Sequence, residues 1–111
     1  MFTNSNLLNC TLVRDVEPGV YDTRIRFYKE CKPENRQPYI LVEMVIDGLI
    51  VTDRWYASRI PYIMNAIRKQ FRMDYLDCTL SQLLEYARTH SIRVTVEYHE
   101  KYGRQIDYKT T

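Results

Sequence analysis

Residues 39 to 56 read YILVEMVI, then Asp47-Gly48, then LIVTDRWY. An Asp-Gly pair between two strand-length runs is the strongest short-range signal for a β-hairpin, because both central residues of the favoured turn need positive φ. A chain built around such a hairpin must pair strands antiparallel. It must also bury at least one face of the pair.

The flanking segments extend this pattern. From Val20 onward Tyr21, Thr23, Ile25 and Phe27 alternate with Asp22, Arg24, Arg26 and Tyr28, which predicts a half-buried strand with a basic outer face. Pro18-Gly19 marks a turn before it, and LLNCTLVRDV, residues 7 to 16, is expected as an irregular first strand. CKPENRQP, residues 31 to 38, holds two prolines among polar residues and is expected as an exposed loop.

After Trp55 the period changes. Ile60, Ile63, Met64, Ile67 and Phe71 recur at helical spacing, with Pro61 suited to a first turn and Arg59, Arg68, Lys69 and Arg72 on the other face. A second helix is predicted to start at Thr79, with Gln82 completing a capping box and Leu80, Leu83, Leu84 and Ala87 as its buried stripe. Period two returns at Ile92, Val94, Val96 and Tyr98, set against Arg93, Thr95, Glu97 and His99. A turn at Lys101-Tyr102-Gly103-Arg104 then leads into a last short strand, RQIDYK.

The expected fold is therefore α+β, mainly β: a single domain over residues 1–111, forming a five-stranded OB-like antiparallel barrel with two short helices inserted between strands 3 and 4. The chain's 111 residues suit one core. Its 45% hydrophobic and 27% charged residues are near globular averages. MFTNSNLL has neither the basic start nor the apolar run of a secretory signal, and no stretch approaches the length of a membrane span, so a cytoplasmic location is expected. Cys10, Cys31 and Cys78 are too widely spaced for a zinc site or a disulfide framework and are expected as free thiols.

Net charge is only +2, but 11 of the 16 basic residues are Arg and ten residues are Tyr. Arg grips phosphate through a fork of donors and stacks on flat rings. The expected binding face combines Arg24, Arg26 and Tyr28 with Tyr39, Arg54 and Trp55 and with the hairpin tip Lys101, Tyr102 and Arg104. Such a face would stack unpaired bases on its rings and follow phosphates with its cations. The competing readings are a solvated strand face for Arg24 and Arg26 and a core position for Trp55.

PGVYDTRI, YILVEMVIDG, SRIPYIMNAIRKQF and RVTVEYHEKYGRQIDYK together resemble the small OB-fold single-stranded DNA-binding proteins encoded by phages of Gram-positive bacteria. The resemblance implies sequence-nonspecific binding of single-stranded DNA in phage or prophage replication or recombination, commonly as a homo-oligomer, without metal, cofactor or catalysis. The tail YKTT departs from the acidic tail with which bacterial relatives recruit partners.

No catalytic constellation emerges. His90 and His99 lack a local carboxylate and nucleophile, and the three glycines fall in turns rather than in a phosphate loop. Asp53, Asp107 and Lys109 offer a nuclease-like pattern of very low specificity. The main rival to strand binding is a protein-binding module, an inhibitor or phage assembly accessory, on the same scaffold.

Overall fold

The Asp-Gly hairpin forms as its sequence requires. In the computed structural model, which describes residues 15–73 and 77–109, Asp47 (φ 53°) and Gly48 (φ 77°) both take the left-handed conformation. They join β3 (Tyr39–Ile46) to β4 (Leu49–Tyr56) in unbroken register from Ile46 opposite Leu49 to Tyr39 opposite Tyr56. Ahead of them lie β1 (Gly19–Thr23) and β2 (Ile25–Cys31). Helices α1 (Ile60–Gln70) and α2 (Leu80–Thr89) follow, then β5 (Ile92–His99) and β6 (Gly103–Asp107).

The five-stranded barrel is not what these strands build. Among the described residues six strands form two three-stranded antiparallel sheets, ordered β1-β5-β6 and β2-β3-β4, with two helices between β4 and β5. The cause lies at Thr23-Arg24, where the expected single strand over residues 20 to 28 divides. Tyr21 pairs with Val94 in one sheet, whereas Ile25 pairs with Met44 in the other. The Thr23 hydroxyl donates to the Val45 carbonyl at 2.6 Å, so a side chain takes a position where a ladder bond would otherwise continue. Nor do β4 and β6, among the described residues, meet as ladder neighbours to close a barrel. Most of the expected strand at residues 7 to 16 lies outside the described residues, and Asp15 and Val16 belong to no strand.

A second correction follows from a bulge. Ile25 faces Met44 but Phe27 faces Glu43, so Arg26 is an extra residue on β2. One inserted residue reverses the side-chain parity beyond it. Phe27 therefore turns to solvent, 44% exposed, and Tyr28 turns inward against the core, the reverse of the sequence expectation.

Both sheets and both helices feed one apolar cluster. The hairpin supplies Val42, Met44, Ile46, Val51 and Trp55, and the second sheet supplies Ile92, Val94, Val96 and Ile106. The helices add Ile63, Ala66, Ile67, Leu83, Leu84 and Ala87. The predicted capping box on α2 is present: the Gln82 amide donates to Thr79 Oγ1 at 3.1 Å and the Thr79 amide donates to Gln82 Oε1 at 2.9 Å. Among the described residues no helix is long and apolar enough to cross a membrane.

Candidate nucleic-acid interface

The β2-β3-β4 sheet has a core face and an open face. Register puts Tyr39, Leu41, Glu43 and Val45 of β3 on the open face, beside Tyr56, Arg54, Thr52 and Ile50 of β4. From β2 it adds Cys31, Lys29 and Phe27. At the end away from the Asp-Gly turn, the Tyr39 and Tyr56 rings lie 5.4 Å apart at 55°, and the Arg54 guanidinium carbon stands 4.9 Å above Tyr39. The Tyr56 hydroxyl is the first of the contacts that raise the Arg54 pKa, further favouring its charged form. Pro33, Arg36 and Gln37 of the β2-β3 loop complete an open cleft around these three side chains.

Of the nine residues expected to bind, Tyr39 and Arg54 are thus brought together. Lys101 and Tyr102 form a separate group at the β5-β6 tip, where the Lys101 ammonium sits 5.4 Å from the Tyr102 ring centre and His99 packs beside that ring at 4.8 Å. Arg24 is exposed between the two sheets. The other four are engaged elsewhere. Arg26 pairs with Glu43 at 2.8 Å, and Arg104 pairs with Asp15 at 2.6 Å while also donating to the Thr52 carbonyl at 3.2 Å. Tyr28 donates its hydroxyl to Glu85 of α2, a bond that raises the tyrosine pKa and lowers the carboxylate's.

Trp55 has 0% exposure, and a ring without exposed surface cannot receive a base. Its indole N–H donates to the Tyr108 hydroxyl at 2.9 Å and to Asp53 Oδ2 at 3.2 Å, and its ring meets Tyr108 edge-on. Tyr108 in turn donates to Asp53 Oδ2 at 2.7 Å, and Arg59 reaches Asp53 Oδ1 at 3.4 Å. These partners, with the Arg54 amide at 2.9 Å, occupy both carboxylate oxygens of Asp53. Among the described residues no three His, Cys, Asp or Glu side chains are grouped to hold a metal. Cys31 and Cys78 are free thiols, and Cys10 lies outside the described residues.

Sequence reasoning missed Tyr56, Arg36 and Lys29. The first was within reach, because a two-residue turn at Asp47-Gly48 fixes the register and sets Tyr56 opposite Tyr39. Arg36 joins the cleft only through the fold of its loop, and Lys29 reaches the open face only through the Arg26 bulge. No protein-family model and no curated protein sequence matches this chain.

Proposed function

We propose that this protein binds single-stranded nucleic acid, probed most directly as DNA, across the open face of the β2-β3-β4 sheet, without strong sequence preference and without catalysis. The observation that carries this reading is the Tyr39, Arg54 and Tyr56 group, two tilted aromatic rings with a guanidinium over one of them. Unpaired bases stack on such rings for about 1 to 3 kcal/mol each, and cations track the phosphates. Arg36 and Lys29 lie on the same side and make no ion pair among the described residues. The phage or prophage setting in replication or recombination and the homo-oligomeric state come from the sequence resemblance; these, with the cytoplasmic location expected from the sequence, belong to this proposal.

A second reading is supported by the opposite end of the same face. Phe27, Val45 and Ile50 are 44%, 42% and 60% exposed there, and a grouped apolar surface of this kind suits a protein partner. Fluorescence anisotropy with labelled single-stranded and duplex oligonucleotides at two salt concentrations separates the two. Strand binding predicts preference for the single strand. Tyr39→Ala should weaken it by about 1 to 3 kcal/mol with little change in salt slope. Arg36→Ala with Arg54→Ala should flatten that slope by about 0.7 for each lost phosphate contact. Equal affinity for both DNA forms, or none at low salt, would give the face to a protein partner.

A further inference from the structure

The basic side of α1 lies outside the β2-β3-β4 sheet face. Tyr62, Asn65, Ala66 and Lys69 follow one another at helical spacing and line a cleft of about 280 Å³, which Lys109 closes from the chain leaving β6. Its floor is the largely buried Ala66, and its walls are a half-exposed phenol, an exposed amide and two exposed ammonium groups. Neither lysine makes an ion pair among the described residues. The nearby Asp107 keeps its charge, which the two lysines together outnumber, and its Oδ1 accepts from the Tyr62 hydroxyl at 3.2 Å and from the Lys109 amide at 3.0 Å. That bond also holds the Tyr62 ring at the edge of the cleft.

Two exposed ammonium groups lining one cleft favour an anion there, and the amide of Asn65 offers that anion a further donor. The volume falls just below the range of about 300 to 1,000 Å³ typical of whole-ligand sites, so it suits a phosphate with part of its nucleoside. An exposed aromatic beside the ammonium groups gives a base a surface to lie on. The geometry points to a phosphate-binding site for a nucleotide in the cleft between α1 and the end of β6, with Lys69 and Lys109 gripping the phosphate and Tyr62 contacting the base. None of its lining residues belongs to the Tyr39, Arg54 and Tyr56 group, so it stands or falls independently of the sheet-face reading. The phosphate can come from a free nucleotide or from a residue within a strand, since the recognising chemistry is the same.

Titration of the isotope-labelled protein with adenosine monophosphate, adenosine and a six-nucleotide oligothymidylate, followed by amide NMR, tests it. Adenosine monophosphate is expected to shift Asn65, Lys69 and Lys109, with adenosine at the same concentration leaving them in place. Lys69→Ala with Lys109→Ala should weaken the nucleotide about tenfold, the scale of losing charge-assisted contacts. Both positions are exposed, so the fold should be retained, as the remaining spectrum would report. Shifts by the oligothymidylate at lower concentration than by the mononucleotide identify a strand as the source, and the reverse order identifies a free nucleotide. Unmoved resonances at millimolar nucleotide, equal response to adenosine, or undiminished binding by the double variant would each overturn the site.

Discussion

Tyr108 shows how one side chain can set the character of its surroundings. Its hydroxyl donates to Asp53 Oδ2 and accepts from the Trp55 indole, so a fully buried phenol, a half-buried carboxylate and a buried indole satisfy one another. Burial, and next the Asp53 charge, raise the Tyr108 pKa well above 10, because its ionised form would be desolvated beside a carboxylate. The folded value exceeds the unfolded one, so this contribution to stability is complete below about pH 10 and is lost as pH rises beyond it. Tyr108→Phe should cost about 1 to 3 kcal/mol at neutral pH by leaving Asp53 and Trp55 short of a partner. Thermal melts from pH 7 to 11 should show a lower starting Tm and a shallower alkaline decline for the variant. An unchanged Tm would make the network dispensable. This arrangement was only half legible in the sequence, since LIVTDRWY carries apolar residues on both faces and alternation alone cannot decide whether Trp55 or Tyr56 points inward.

Elements were readable where their signals are local. The Asp47-Gly48 turn and the Thr79 capping box each rest on residues within four positions of one another, and both form as expected. The inner face of β2 is not legible, because nothing in IRFYKEC marks Arg26 as a bulge; the extra residue is required by the pairing of Ile25 and Phe27 with a distant strand. The consequence reaches α2, which packs against β2 and receives the inward-turned Tyr28 at Glu85. The start of α2 thus bears on the placement of that strand. Thr79→Ala should lower stability by about 1 kcal/mol, seen as a reduced urea midpoint at constant m, and Thr79→Ser should restore most of it. A Thr79→Ser variant as weak as the alanine would show that the methyl group, and not the hydroxyl, matters there.

At the scale of the molecule, the division into two sheets was not legible, because a barrel and a pair of sheets share the same hairpins and differ in how distant edges meet. Those edges are β4 and β6. Arg59 stitches them: one Nη donates to the Arg54 carbonyl of β4 at 3.1 Å and to Asp53 at 3.4 Å, and the other donates to the Ile106 carbonyl of β6 at 3.3 Å. A planar fork with fixed donors can serve two backbone edges at once, whereas a single ammonium cannot span them. Arg104 adds a second stitch through the Thr52 carbonyl. Edge strands tied by side chains in place of a ladder should separate more readily than paired ones, so β6 is expected to open before the hairpin does. Arg59→Lys should keep the charge but lose the fork, costing about 1 to 3 kcal/mol. Native-state hydrogen exchange should find the loss concentrated in the amides of β6, with β3 and β4 protection falling only as far as global stability falls. If β6 protection in the lysine variant matches the parent protein, the two sheets are held by their shared core, including Ile106 and Trp55, and the arginine stitch contributes nothing to their union.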